Sequence, residues 1–126
     1  MDVTPLIPAD RQVIDSYGPQ GFHVSGAGYG GAILVFPDAT MSWGVSGLDD
    51  VTPESLRPVI EHGGIEILLL GCGRRMQPVR PALRPTLRQA GIVLEIMDTG
   101  AACRTYNVLL AEERRVAAAL LPPGLS

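Results

Sequence analysis

The feature that most constrains this chain is a pair of nearly unbroken apolar runs with a helical pattern between them. The runs are Ile65-Glu66-Ile67-Leu68-Leu69-Leu70 and Ile92-Val93-Leu94-Glu95-Ile96-Met97. A strand with one wet face alternates polar and apolar residues, whereas a run that is apolar throughout belongs to a strand covered on both faces. Between them Leu83, Leu87 and Ala90 recur at helical spacing. Pro81 and Pro85 move the regular part of that helix toward 82–90, and Gly91 ends it. Residues 65–97 therefore predict a βαβ crossover, with parallel strands and a right-handed connection.

The N-terminal half reads differently. Pro5 and Pro8 mark residues 1–11 as an extended lead-in segment. Val13-Ile14-Asp15-Ser16-Tyr17 alternates as a half-buried strand does. Gly18-Pro19-Gln20-Gly21 supplies a turn, and Phe22-His23-Val24 returns as a hairpin partner. Ser25 to Gly31 reads as a glycine-rich link with little side chain to pack. Ala32-Ile33-Leu34-Val35-Phe36, closed by Pro37-Asp38, predicts a buried strand. Met41, Trp43 and Val45 share one side of a further antiparallel strand.

After Gly47 the pattern turns helical. Thr52-Pro53-Glu54 combines a hydroxyl cap, proline at the first helical position and an acid in the first turn. Leu56, Val59 and Ile60 follow at helical spacing, Pro58 keeps the helix short or kinked, and Gly63-Gly64 ends it. A later helix is predicted from about Ala101 to Glu112, with Ala102, Val108 and Leu109 on its inner face. Val116-Ala117-Ala118-Ala119-Leu120-Leu121 reads two ways. Alanine favours a continued helix, while a short apolar run before Pro122-Pro123 suits a buried strand.

A chain of 126 residues with 46% apolar content is enough for one self-sufficient core, so 1–126 is a single domain with a tail over 122–126. Net charge is −3 and the ten basic residues are scattered, which argues against nucleic acid as a partner. No apolar run reaches the ~20 residues needed to span a bilayer, so membrane insertion is not expected. The start lacks the basic-then-apolar pattern of a secretory signal. Cys72 and Cys103 make no disulfide framework. With only His23 and His62 beside them, no metal site is expected. Two free thiols in a reducing compartment point to the cytoplasm.

Two loops carry the candidate chemistry. In a parallel sheet, ligands bind beyond the carboxyl ends of the strands, where loops meet helix N-termini. Gly71-Cys72-Gly73-Arg74 leaves the first parallel strand, and Asp98-Thr99-Gly100-Ala101 leaves the second. If those strands are neighbours the loops share a crevice, with Arg104 and Asn107 as polar anchors for a small carboxylate or phosphate. The plain alternative is that Asp98 or Thr99 caps a helix and the glycines only turn the chain. Gly71-Cys72-Gly73 is no dinucleotide fingerprint, since Met76 stands where the third glycine belongs. Cys72 and Cys103 are the nucleophiles by type, but no histidine is placed to serve either as a base.

Three stretches carry a resemblance: Ile67 to Gly73, Met97-Asp98-Thr99-Gly100-Ala101-Ala102-Cys103-Arg104-Thr105-Tyr106-Asn107-Val108-Leu109, and Glu113 to Leu120. Over residues 11–121 the chain resembles the Mth-type domain family of unknown function. That family includes the adipogenesis-associated Mth-domain protein and the third assembly factor of mitochondrial respiratory complex I. Cys72 stands where relatives often carry threonine, which counts against that thiol as a nucleophile. The resemblance implies an α/β (mixed α+β) fold: three layers, β+β/α, with a central mixed sheet, the parallel βαβ core at 65–97 and an antiparallel last strand. On that basis residues 115–121 are a strand. It implies no agreed enzymatic activity and no cofactor. The leading expectation is therefore a non-enzymatic protein-interaction or assembly-factor-like domain that binds a protein partner. The alternative is a binder or enzyme for a small anionic ligand, using Gly71, Cys72, Gly73, Asp98, Thr99, Gly100, Arg104 and Asn107.

Overall fold

Alternation in the N-terminal segment produces a small antiparallel sheet. In the computed structural model, which describes residues 10–125, β1 (Ile14–Gly18), β2 (Gly21–Val24) and β3 (Ala27–Gly30) pair in chain order. Ile14, Phe22 and Val24 are buried, while Asp15, Ser16 and His23 face solvent. The glycine-rich stretch expected to be a link is therefore strand β3. Ser25 and Gly26 both take positive φ, 47° and 85°, as a two-residue hairpin of the primed type requires. Val24 then faces Ala27 across the ladder. Pairing is a backbone property, so a stretch poor in side chains still completes the sheet. Of the expected lead-in, residues 1–9 lie outside the described residues.

The second sheet has five strands in the order β5-β4-β8-β6-β7. These are β4 (Ile33–Val35), β5 (Thr40–Ser42), β6 (Ile67–Gly71), β7 (Val93–Met97) and β8 (Val116–Leu120). The βαβ core is present: β6 and β7 are parallel, joined through α2 (Leu83–Gln89). Helix α3 (Thr99–Ala111) then carries the chain from β7 past β6 to β8. The last strand is antiparallel to β4 but parallel to β6, so the expected antiparallel direction holds against one neighbour only. The cause is topological: β8 returns through a helix, as a parallel crossover does, and lands beside a strand from the N-terminal half.

One face of the mixed sheet is packed by a 3-10 turn ending at Leu56, by α1 (Arg57–His62) and by α2, through Leu56, Val59, Leu83 and Leu87 against Leu68, Leu70, Ala117 and Ala119. The other is packed by α3 and the small sheet, through Phe22, Ala102, Tyr106 and Leu110 against Leu69, Val116, Ala118 and Leu120. The three layers of the expected fold are thus in place. Strand β8 lies at the centre, and every residue of it is at most 1% exposed. Three small alanines let both outer layers approach the sheet closely, which overrides alanine's preference for helix.

Two inward positions were misread. Val108 is 57% exposed; the buried stripe of α3 is instead Thr99, Ala102, Cys103, Tyr106 and Leu110. Met41 is exposed while Trp43 and Val45 are buried, because the strand ends at Ser42. The helix foreseen after Thr52 begins as a 3-10 turn over Glu54–Leu56 before α1. The Thr52 hydroxyl accepts a hydrogen bond from Ser55 N–H at 3.2 Å, the capping role expected of it.

Candidate functional site

The two candidate loops do meet, since β6 and β7 are neighbours and their outgoing helices lie on opposite faces of the sheet. Such a reversal opens a crevice in many α/β proteins. Here the crevice is closed by Thr99, which is 0% exposed. Its Oγ1 accepts a hydrogen bond from Gly73 N–H at 2.8 Å and donates one to the Leu121 carbonyl at 2.5 Å. Thr99 N–H donates in turn to the Gly73 carbonyl at 2.8 Å. Cys72 N–H donates to Met97 O, and Leu121 N–H to Gly71 O. Three chain segments are thereby clasped at the carboxyl edge. Gly71 is needed there: a Cβ on it would lie 2.9 Å from Leu120 Cδ2 and 3.0 Å from Thr99 Cα.

The remaining site residues have distinct positions. Asp98 is the N-cap of α3, its carboxylate accepting from Ala101 N–H at 2.9 Å. Gly100 is buried beneath Tyr17 Oη and Arg104 Nη1, which lie 2.5 and 3.3 Å from where its Cβ would stand. Arg104 is exposed, and its guanidinium makes no hydrogen bond or ion pair among the described residues. Asn107 is drawn away from the loops. Its Nδ2 donates to Ile14 O at 2.8 Å and its Oδ1 accepts from Ile14 N–H at 3.0 Å, pinning β1 onto α3. Gly71, Cys72, Gly73, Asp98, Thr99, Gly100 and Arg104 come together; Asn107 does not join them.

Both cysteines are free and buried. Burial pushes the Cys72 thiol up, and drives that of Cys103 up to about 12 despite the nearby Arg104. Both are therefore neutral thiols at physiological pH, not activated nucleophiles.

Two open clefts flank the sheet. At the carboxyl edge, Arg74, Arg75, Gln77, Pro123 and Gly124 line a depression of about 540 Å³. Gly124 N–H donates to Pro19 O at 2.8 Å, which ties the C-terminal turn to the β1–β2 hairpin. At the opposite end, Arg11, Asp38, His62, Gly63, Gly64 and Arg114 help line a cleft of about 410 Å³. His62 is stacked on Phe36, with centroids 4.3 Å apart. Its Nε2 lies 2.8 Å from Asp38 Oδ1 and its Nδ1 2.9 Å from Gly63 O. Both partners are acceptors, so the imidazolium, with two N–H donors, is the form that satisfies both contacts at once. The Asp38 hydrogen bond accordingly raises the His62 pKa, and His62 lowers that of Asp38. Sequence reasoning missed this pair because 24 positions separate its members. It also passed over Tyr17 and Met76 as site residues, both of them exposed.

Fold and site together define a small mixed-sheet α/β domain whose carboxyl edge is closed by a threonine clasp and rimmed by arginines. A family model described as "Protein of unknown function (DUF498/DUF598)" matches residues 14–121, and the chain belongs to that family. It is 38% identical over 118 residues to NADH dehydrogenase [ubiquinone] 1 alpha subcomplex assembly factor 3 of Xenopus tropicalis, covering 93% of this chain and 64% of that protein. It therefore spans less than two thirds of that relative's length. An uncharacterised protein of Rhodobacter capsulatus is 42% identical over 112 residues, covering 88% of this chain and 86% of its own. Among solved structures, a Bordetella parapertussis protein superposes with a TM-score of 0.82 at 37% identity, covering 89% of this chain and 96% of that one. A Bordetella pertussis protein described as a Mth938-like domain superposes with 0.83 at 31% identity, covering 100% and 95%. Among the described residues, no helix is long and apolar enough to cross a membrane.

Proposed function

We propose that this domain is a non-enzymatic, assembly-factor-like protein that acts by binding a protein partner. The observation that carries the reading is the 38% identity, over 93% of this chain, to a relative named as an assembly factor. The geometry supports it. The residue types a hydrolase or transferase would draw on at this edge have structural work: Thr99 holds three segments together and Asp98 caps α3. The reading includes a cytoplasmic setting, which two free, buried thiols favour. The test is affinity purification of the tagged full chain, expressed at native level in its own cell. A defined partner should co-elute in constant ratio through size-exclusion chromatography. Recovery of nothing above a tag-only control would overturn the proposal.

One observation favours a second reading, a small anion held at the same edge: the open cleft carries Arg74 and Arg75 side by side. Thermal shift with inorganic phosphate or citrate separates the two. A saturable rise in Tm at millimolar anion, lost in Arg74→Ala/Arg75→Ala, belongs to the second reading alone.

A further inference from the structure

We infer that the arginine rim of the carboxyl edge, Arg74, Arg75 and Arg104 with the exposed Met76 and Tyr17, docks an acidic segment of a protein partner. The inference rests on the protein-binding reading above and names the surface and the chemistry that serve it.

Charge is the first argument. The chain carries a net −3, so three arginines on one edge run against its average. Four of the seven other arginines are engaged within the chain. Arg57 pairs with Glu54, Arg115 pairs with Glu66, and Arg80 and Arg84 donate to the carbonyls of Asp49 and Leu94. At the rim, Arg74, Arg75 and Arg104 make no such bond among the described residues. The acid at this edge, Asp98, is committed to the Ala101 N–H. The opposite cleft is less one-sided, since Asp38 and Glu113 lie among its arginines.

Placement is the second argument. Gly73 and Thr99 are locked by reciprocal hydrogen bonds, and Arg74 follows Gly73 directly. Arg104 reaches back over Gly100, the residue after Thr99, so both sides of the rim grow from one rigid clasp. A preorganised surface loses less freedom on binding. The guanidinium fork suits carboxylates, taking both oxygens at once. Met76 is 60% exposed and Tyr17 43%, which offers apolar contact beside the charges. An acidic segment with an apolar residue between its carboxylates matches both features. A nucleic acid fits less well, because three cations on an acidic protein fall short of the basic stripe a phosphate backbone needs.

The test uses the full chain and a fluorescein-labelled dodecapeptide alternating Glu-Glu-Leu, read by fluorescence anisotropy. Binding should be saturable and weaken as salt rises from about 0.05 to 0.3 M. Arg74→Glu/Arg75→Glu, and separately Arg104→Glu, should weaken it roughly tenfold or more, as loss of charge-assisted bonds does. The milder Arg74→Gln/Arg75→Gln should weaken it in the same direction, and an unchanged Tm shows that each variant is folded. Arg88→Glu, an exposed site on α2, should leave binding within about twofold. The inference is overturned if the wild type does not bind, or if Arg88→Glu costs as much as the rim variants. Tighter binding of a single-stranded oligonucleotide, or displacement of the peptide by inorganic phosphate at equal concentration, overturns it as well. The tagged purification separates this failure from failure of the function. A partner recovered equally by wild type and Arg74→Glu/Arg75→Glu defeats the rim alone, whereas no partner with wild type defeats the function.

Discussion

Replacing Thr99 by valine removes one oxygen from the centre of the carboxyl-edge clasp and changes side-chain shape very little. The hydroxyl now satisfies Gly73 N–H and the Leu121 carbonyl, both against a side chain that is 0% exposed. Valine leaves both groups without that partner, and an unsatisfied buried polar group costs about 1–3 kcal/mol. The expected loss is therefore about 2–6 kcal/mol, a large share of the ~5–15 kcal/mol that holds a domain of this kind together. Thr99→Ser is the matched control, because it keeps the oxygen and loses only a methyl group, about 0.5–1.5 kcal/mol. Urea unfolding followed by far-UV circular dichroism measures both, and the valine variant should also melt roughly 6–20 °C lower. Hydrogen exchange adds a local readout: the Gly73 amide should be protected in the wild type and in Thr99→Ser, and exposed in Thr99→Val. If valine proved no more damaging than serine, the clasp would not be a principal support of this edge. The case for a closed crevice would go with it.

Three further outcomes follow from the same geometry. In the native state Cys72 and Cys103 should resist Ellman's reagent at neutral pH and react fully only in urea, because burial holds both as neutral thiols; rapid native labelling of either would contradict this. Asn107→Ala should cost about 1–3 kcal/mol, since Ile14 loses a donor and an acceptor, and amide exchange should then rise in β1 before the mixed sheet. The His62–Asp38 pair gives stability a pH dependence. Its bond raises the His62 pKa, so that contribution is complete below about 6.5 and lost as pH rises through the higher folded value. Asp38 is lowered, so its part is present above its ordinary 3.8 and lost as pH falls through the lower folded value. Asp38 is 67% exposed, which limits the effect to about 0.2–1 kcal/mol, and comparing wild type with His62→Gln between about pH 5 and 9 isolates it.

Much of the fold is legible in the residues because period and punctuation are local. Continuous apolar character marks β6 as doubly covered, and Gly91 at φ 79° ends α2 where expected. The same expectation fails for β7, which lies at the edge of the sheet with Glu95 exposed and Val93 56% exposed, because little packs on that face of the edge strand. That Asp98 or Thr99 caps the helix after β7 follows from residue type and position, and the structure selects Asp98. Segments with a balanced local signal had to wait for their neighbours. Val116–Leu120 has the composition of a helix and the length of a strand, and becomes a strand because β4 and β6 present ladders on both its sides. The glycine-rich stretch becomes β3 because β2 offers a backbone partner.

The Gly71–Gly73 and Asp98–Ala101 loops divide in the same way. Sequence alone determined that they would lie at the carboxyl ends of parallel strands, since that follows from the order strand, helix, strand, helix. Only the tertiary structure decided what fills the space between them. The Thr99 hydroxyl reaches Gly73, 26 positions away, and Leu121, 22 positions away, and so makes a structural clasp of a crevice that local pattern leaves open. Asn107 was drawn to Ile14, 93 positions away, and the arginines were left to solvent on the rim. Periodicity reports which side of an element is apolar. It carries no information on which distant polar group completes a hydrogen bond, and at this edge those bonds determine which surface remains for a partner.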